Sequence, residues 1–339
     1  MQLTSTSEED RSLRQRPPSL WSRLNHPLVP GIIAFLGWLG FALARWQIWA
    51  KGHLSLFIMA GHVYTHRAQL PRGLLLVPNA GYDGQFYYRL ALDPVNWHAT
   101  AFGITMDQSY RYTRIGYPVL AWIFSLGQHQ LVPVVLVVLN LFAVAAIAML
   151  GGMFARDAGR HALWGLAFAA YFGLVISVGR DTAEPLAEAC MLGGLLAYRR
   201  GGTRMYLLAT ALFAYGAITR ETILFVPAAI AVTRLIAIGR RRARPGLADL
   251  TWLGPAVAFG LVELAVHVGE RRSVILDRKA DFIGRVVAHG DRIVDEYSIR
   301  GKQLEPPRNV LDLRHVIHLA HKLFVGHLNP FRTLVRYLT

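Results

Sequence analysis

The chain has 339 residues, of which 53% are apolar and only 17% are charged, with 36 Lys and Arg against 21 Asp and Glu. The net charge of +15 does not indicate nucleic-acid binding, because the apolar residues lie in blocks too long for the core helices of a soluble basic protein. The single cysteine, Cys190, excludes a disulfide framework and a cysteine-ligated metal site. The composition therefore predicts an integral membrane protein.

The first apolar block, Leu28 to Ala50, contains only one charged residue, Arg45. At 1.5 Å per residue it is long enough to cross a hydrocarbon core of about 30 Å. A cleaved signal peptide is the alternative, with the triplet Ala42-Leu43-Ala44 as its cleavage site. The long polar N-terminus and the length of the block favour an uncleaved membrane anchor.

Six further apolar blocks give seven candidate transmembrane helices in all. Several are shorter than the usual 20 residues and carry charged ends, which indicates termini that face a polar cavity within the protein rather than lipid. The expected fold is thus an all-α integral membrane protein. The six blocks are Leu131 to Ala155, Ala162 to Val178, Ala183 to Tyr198, Met205 to Ile218, Thr222 to Ile238 and Leu250 to Val268.

The distribution of arginine predicts the orientation, because Lys and Arg in short connections resist translocation. Residues 1–27 should form a cytoplasmic segment, 28–268 the helical module with an outer loop at 51–115, and 269–339 a basic tail, expected outside. In the tail, residues 313–324 have the pattern of a surface helix, and its three histidines fit a solvated face better than a metal site. Thirteen arginines are expected in the cytoplasm: Arg11, Arg14, Arg16, Arg23, Arg156, Arg160, Arg199, Arg200, Arg204, Arg240, Arg241, Arg242 and Arg244.

The outer loop is too long for a simple connector, and long loops in compact proteins are usually functional. Its apolar runs Leu54 to Tyr64 and Tyr117 to Leu126 are too short to cross the membrane and predict helices at the outer surface. Between them lies the sequence Tyr-Asp-Gly-Gln-Phe-Tyr-Tyr at residues 82–88. An acid beside glycine and aromatic residues offers a carboxylate with an open approach and stacking faces for a sugar.

Asp83, the acid of this motif, has two possible roles. It could be the N-cap of a short helix from Gly84 to Leu92, which requires no ligand. It could also face a cavity and act chemically, and the two roles are compatible.

The short outward connections carry charges that are expensive near a membrane, at about 3 kcal/mol each. Asp181 and Glu184 fit a helix start capped by Thr182, with Pro185 in the first turn. The arginines Arg180 and Arg220 are not explained in this way. Either they pair with nearby acids or they bind an anion.

At these residues the sequence resembles the integral membrane glycosyltransferases of the GT-C superfamily, over roughly Leu28 to Arg244. The loop motif at Tyr82 to Tyr88 carries most of the resemblance, and the tetrad Thr219 to Thr222 adds to it. The resemblance implies a cytoplasmic N-terminus, a large outer first loop with surface helices, and a catalytic acid at the position of Asp83. Many members have an acidic pair in this loop, whereas Gly84 and Gln85 follow Asp83, so we expect no metal or other cofactor.

Because nucleotide sugars are not ordinarily available outside, the expected donor is a polyprenyl-phosphate sugar and the acceptor a component of the cell envelope. Asp83 would act as the general base of an inverting displacement, while arginine stabilises the departing phosphate. Arg220 is the first candidate for the phosphate, and Arg180 is the second. The full set of candidate substrate-binding residues is Arg180, Arg220, Glu221, Glu184, Tyr82, Gln85, Tyr87, Asp107, Arg111 and Arg114.

Two other classes of function are compatible with the sequence. A lipid or solute transporter, such as a flippase, also places ionisable groups in the membrane, although the chain has no inverted repeat. A structural partner in an envelope assembly, docked through the basic tail, is the third possibility.

Overall fold

The computed structural model describes residues 20–274 of the chain. The chain divides into a compact unit, Met1–Glu270, and a second unit, Arg271–Thr339, of which only residues 271–274 are described. Arg11, Arg14 and Arg16 of the predicted cytoplasmic segment, and the predicted surface helix at 313–324 with its histidines, lie outside the described residues.

The described chain is predominantly helical, with one short β-hairpin. The hairpin lies in the predicted outer loop, between the third and fourth helices. In chain order the elements are α1 (Leu20–Leu24), α2 (Leu28–Ala44), α3 (Gly84–Leu92), β1 (Thr100–Ala101), β2 (Ile104–Thr105), α4 (Gly116–Phe124), α5 (Val132–Asp157), α6 (Gly165–Phe168), α7 (Phe172–Gly179), α8 (Glu184–Arg200), α9 (Thr203–Thr219), α10 (Phe225–Gly239) and α11 (Leu247–Val274).

Within residues 20–274, four helical segments are long and apolar enough to cross a membrane: Leu28–Trp49, Val132–Asp157, Glu221–Gly239 and Leu247–Val274. The helical segments Ala162–Phe168 and Phe172–Gly179 would form a fifth span if they are taken as one broken helix, bent by 65°. The expectation of seven spans is therefore wrong. Helices α8 and α9 have only 17 residues each, which corresponds to about 25 Å and falls short of the hydrocarbon thickness.

Helix α5 is the centre of the bundle and packs against α2, α6 and α8, while α8 packs along α9. Glycines allow the closest approaches: a Cβ at Gly152 would lie 2.9 Å from the Ala162 carbonyl oxygen. The buried polar residue of α5, Asn140, donates a hydrogen bond to the Tyr117 hydroxyl at 2.9 Å, and that hydroxyl donates to the Leu136 carbonyl at 2.8 Å. These bonds attach α4 of the outer loop to the bundle and satisfy polar groups that are costly to bury unpaired.

The outer loop folds around α3, all nine residues of which are buried. Loop segments pair around it, and β1 and β2 form an antiparallel hairpin whose turn residues Phe102 and Gly103 have φ values of 51° and 70°. Positive φ at both positions is the geometry of a tight two-residue hairpin turn. The rigid loop therefore holds the start of α3 in a defined position.

The two apolar runs of the loop differ in outcome. A helix at Tyr117 to Leu126 is confirmed as α4, and Trp122, Ile123 and Phe124 are exposed on it. A helix over Leu54 to Tyr64 is wrong, because this run contains only the short 3-10 turns Leu54–Phe57 and His62–Tyr64. Gly61 interrupts it where the chain pairs with Val77, so backbone pairing replaces helix formation.

Candidate functional site

Asp83 directly precedes α3, as the capping hypothesis predicts, but its side chain does not cap the helix. It makes no hydrogen bond to the first-turn N–H groups, and its backbone is already helical, with φ −57° and ψ −26°. The carboxylate points instead toward three arginines, and 28% of the side chain is exposed. The capping interpretation is thus wrong, and the carboxylate belongs to a cluster of charged groups.

This group, called the Asp83 cluster below, combines residues from three parts of the chain. The outer loop, the start of α8 and the turn after α9 contribute ion pairs that sequence distance alone does not indicate. Four carboxylates surround three guanidinium groups: Asp83, Asp107, Glu184 and Glu221 with Arg111, Arg114 and Arg220.

Arg111 joins the two aspartates of the outer loop. Its Nη1 donates to Asp83 Oδ1 at 2.8 Å, and its Nε and Nη2 both donate to the Asp107 carboxylate. The guanidinium also lies over the Phe86 ring, 4.1 Å from the ring centre. Burial lowers the pKa of Arg111, but the hydrogen bonds to Asp107 and Asp83 outweigh it, so the net shift is upward. Arg111 therefore remains charged and fixes the orientation of Asp83.

Arg114 connects the outer loop to the turn after α9. Its Nε donates to Glu221 Oε2 at 2.9 Å and its Nη2 to Glu221 Oε1 at 2.5 Å, a bidentate arrangement across 107 residues of sequence. Its Nη1 lies 3.5 Å from Asp83 Oδ2, too far for a strong hydrogen bond. Only 8% of the Arg114 side chain is exposed, so this pair is protected from solvent.

Arg220 pairs with Glu184, with Nη1 and Oε1 separated by 3.0 Å, and lies 3.9 Å from Asp83 Oδ2. The same Nη1 is 3.4 Å from the Tyr87 hydroxyl. Burial, reinforced by Glu184, raises the pKa of Tyr87 to about 12, so the phenol remains a neutral hydrogen-bonding group. Of the two alternatives left open by the sequence, pairing with acids describes Arg220.

One oxygen of Asp83 remains available. Oδ1 accepts the hydrogen bond from Arg111, whereas Oδ2 accepts none from any residue between 20 and 274. A carboxylate oxygen has two lone pairs and bonds well to a hydroxyl. The Asp83 side chain is partly exposed, and Oδ2 lies 3.5 Å from Arg114 Nη1 and 3.9 Å from Arg220 Nη1. Oδ2 can therefore accept a proton or a hydrogen bond from a molecule that enters the cluster.

Two residues of the loop motif lie apart from the Asp83 carboxylate. Gln85 is buried, accepts a hydrogen bond from the Gly61 N–H at 3.1 Å and donates to the Ala80 carbonyl at 3.0 Å, so its contacts hold the loop together. Tyr82 is 37% exposed, and the Arg180 guanidinium stacks over its ring at 4.4 Å. Arg180 forms no ion pair with any described residue, in contrast to Arg220.

The start of α8 differs from the capping pattern expected there. Thr182 is not the N-cap: that position is Ala183, which has no capping side chain, although Pro185 does lie in the first turn as expected. Asp181 is completely buried with φ 47°, and neither of its oxygens has a hydrogen-bond partner among the described residues. Burial raises the pKa of Asp181 well above its usual value, an effect that Arg45 opposes.

Arg45 is the residue that the candidate set missed. The sequence marks it only as the one charge in the first apolar block, and a charge at membrane depth is itself a signal of function.

Among the described residues, no three His, Cys, Asp or Glu side chains come together in a group that could hold a metal ion. Comparison of the chain with family models, curated proteins and solved structures gives no match.

Proposed function

We propose that the protein is a membrane glycosyltransferase that transfers a sugar from a polyprenyl-phosphate donor to an extracytoplasmic acceptor. The observation that carries this proposal is the geometry of Asp83: Oδ1 accepts a hydrogen bond from Arg111, Oδ2 accepts none from the described chain, and the side chain is partly exposed. A capping or purely structural role would occupy the carboxylate. The resemblance of residues 82–88 to the GT-C loop supports the same assignment.

In the proposed reaction, Asp83 Oδ2 removes the proton from an acceptor hydroxyl, and the oxygen of that hydroxyl attacks the anomeric carbon of the donor sugar. The bond from that carbon to the phosphate oxygen breaks, and the phosphate departs with the negative charge that Asp83 loses. Each atom and charge is thereby accounted for without a covalent sugar intermediate, so the anomeric configuration inverts. Arginine side chains stabilise the departing phosphate, and fixed charges in a site with little water are effective in this role.

The sidedness of the charges supports a lipid-linked donor. The Asp83 cluster includes Glu184 at the start of α8 and Arg220 at the end of α9, while Arg200 and Arg204 lie at the opposite ends of these helices, about 25 Å away. These helices are too short to cross the bilayer on their own, but if their basic ends are directed toward the cytoplasm, the cluster lies toward the outer side. Sugars on that side arrive on lipid carriers, and the acceptor is then a glycan, lipid or protein of the envelope.

The test replaces Asp83 by Asn, which keeps the size of the side chain but is not a base. The fold should persist, because each arginine of the cluster retains a second acid: Asp107, Glu221 or Glu184. Transfer from a panel of polyprenyl-phosphate sugars to an envelope fraction should fall by about 10²- to 10⁴-fold. Asp93→Asn is the matched control, since Asp93 accepts only a local bond from Val95 N–H among the described contacts.

A folded Asp83→Asn protein with full transfer would refute the mechanism. If neither the parent nor the variant transfers sugar while both bind the lipid, the result favours the transporter alternative. The thermal midpoint of each variant, measured in the same detergent, distinguishes loss of chemistry from loss of fold.

A further inference from the structure

A groove runs along α2, between this helix and α7, and differs in character from the Asp83 cluster. Its volume is about 390 Å³, and its walls are apolar except at one end. The charged end is formed by Arg45 and Arg180. The main apolar walls are Phe41, Ile48 and Trp49 on one side and Phe172, Val175 and Ile176 on the other.

The apolar part of this groove extends further along α2. A second cavity of about 300 Å³ shares Phe41 and Val175 with it and continues to Ile33 and Leu166. From Ile33 to Arg45 the helical rise corresponds to about 18 Å. The two cavities together therefore form a narrow apolar path with cationic groups at one end only.

Neither arginine at the charged end has a carboxylate within ion-pair distance, although Asp181 acts on Arg45 from further away. Within residues 20–274, Arg45 and Arg180 form no ion pair, and Arg45 Nε is buried without a hydrogen-bond partner. Arg180 contacts the Tyr82 ring, and the nearest polar contact of Arg45 is Met59 Sδ at 3.8 Å. In the Asp83 cluster, by contrast, every arginine has a carboxylate partner other than Asp83.

The two arginines lie at the same end of α7. Gly179, which precedes Arg180, has no side chain, and a Cβ placed there would lie 3.4 Å from Arg45 Nε. Asp181, which follows, is buried and lies beyond ion-pair distance of Arg45, and a single acid cannot balance two arginines. The local charge is therefore positive, which is costly beside apolar helices unless an anion binds.

We propose that the α2–α7 groove binds the lipid phosphate of the donor, with the polyprenyl chain along the apolar walls and the phosphate at Arg45 and Arg180. This inference rests on the proposed function for the identity of the lipid. The phosphate site is therefore assigned to two arginines without acidic partners and not to Arg220, the first candidate from the sequence. An amphipathic ligand with one anionic end matches both the length and the one-sided charge of the groove.

The groove meets the Asp83 site through the start of α3. A Cβ on Gly84 would lie 2.3 Å from the Arg180 carbonyl oxygen, so the backbones on either side are in direct contact. Tyr82 directly precedes Asp83 in the chain, and its partly exposed ring contacts the Arg180 guanidinium. A sugar attached to a phosphate at Arg180 would thus extend along Tyr82 toward the catalytic carboxylate.

Binding can be measured on the full-length protein in detergent by native mass spectrometry, without any transfer assay. The probes are a long-chain polyprenyl monophosphate, the corresponding polyprenol and inorganic phosphate. We expect only the first to bind tightly, because it alone has both the chain and the charge. Arg180→Gln and Arg45→Gln should each weaken its binding about tenfold or more, as expected for loss of a charged hydrogen bond.

Val175→Trp tests the apolar path separately, because Val175 lines both cavities and carries no charge. It should also weaken binding of the polyprenyl monophosphate by about tenfold. The matched controls are Val134→Trp, a partly exposed valine on α5, and Arg200→Gln, an exposed arginine at the far end of α8. Both controls should bind as the parent does.

Unchanged binding by Arg180→Gln and Val175→Trp would overturn the inference, even if Arg45→Gln does not fold. Equal binding of the polyprenol and the polyprenyl monophosphate would also overturn it, since the arginines would then have no role. If binding follows the expected pattern but no variant or parent transfers sugar, the lipid site stands and the proposed function fails. The two hypotheses are therefore separable.

Discussion

The ion pair between Arg114 and Glu221 joins the outer loop to the later helices, so its strength determines how firmly Asp83 is held. Its two nitrogen-to-oxygen distances are 2.9 and 2.5 Å. The exposed fraction is 8% for the Arg114 side chain and 34% for the Glu221 side chain. Exposed ion pairs contribute about 0 to 1 kcal/mol. Hydrogen bonds to charged groups away from solvent contribute about 1.5 to 3 kcal/mol.

We therefore expect a coupling free energy of about 1.5 to 3 kcal/mol between Arg114 and Glu221 in a double-mutant cycle. The cycle uses Arg114→Ala, Glu221→Ala and the double variant, so the separate contact of Arg114 with Asp83 cancels. At about 1.4 °C per kcal/mol for 339 residues, the losses of thermal midpoint should fail to add by roughly 2 to 4 °C. The measurement is thermal unfolding in one detergent, monitored by circular dichroism.

A second cycle on Arg234 and Asp249 provides the control. This pair is also bidentate, at 2.9 and 3.2 Å, but it is local in sequence and lies at the basic ends of the helices. It should show coupling of its own without affecting sugar transfer, whereas the Arg114 and Glu221 variants should lose transfer as well as stability. A coupling below about 0.5 kcal/mol between Arg114 and Glu221 would refute the view that this pair anchors the loop.

Three further outcomes are expected. Gly84→Ala should destabilise the fold by about 1 to 3 kcal/mol in thermal unfolding, because its Cβ would lie 2.3 Å from the Arg180 carbonyl oxygen. Gly37→Ala is the control and should be neutral or stabilising, because no atom lies within 4 Å of its Cβ position. Burial raises the pKa of Tyr87 to about 12, above the ordinary 10, so the free energy of unfolding should fall as pH rises from 10 to 12. The fall should be smaller in Tyr87→Phe. The measurement is the thermal midpoint of both proteins as a function of pH. A reporter enzyme fused after Arg244 should be active only inside the cell.

Much of the local structure could be predicted from the sequence. Helix α3 begins at Gly84 and ends at Leu92 as expected, and α5 covers the longest apolar block within two residues at each end. For α5 the reason is local composition, because a long run of apolar residues without charge has few alternatives to a helix. The predicted number of spans was wrong because it depends on where each helix ends. A 17-residue helix and a 19-residue helix look alike in sequence, and only the structure gives their ends.

The candidate site was predicted in its membership but not in its pairing. Charges in four separate segments were selected because charge is costly near a membrane, and the structure brings together eight of the eleven candidates as the Asp83 cluster with Tyr87. Arg114 pairs with Glu221 across 107 residues of sequence, and Arg220 pairs with Glu184 in a different helix. No local pattern contains that information, so the sequence left open whether Arg220 pairs with an acid or binds an anion. In the structure it pairs with Glu184.

The contrast between paired and unpaired arginines gives the site a division of labour. Arg111, Arg114 and Arg220 each form an ion pair with an acid other than Asp83. They can therefore hold Asp83 in position while the charge of its carboxylate is only partly offset. Arg45 and Arg180 keep their charge at the end of an apolar groove. A transferase with a lipid donor needs both conditions at once, a base that stays available and an anion site that is not already filled. Because the start of α3 at Gly84 packs directly against the Arg180 backbone, we expect a ligand that displaces Arg180 to shift the start of α3, and with it Asp83.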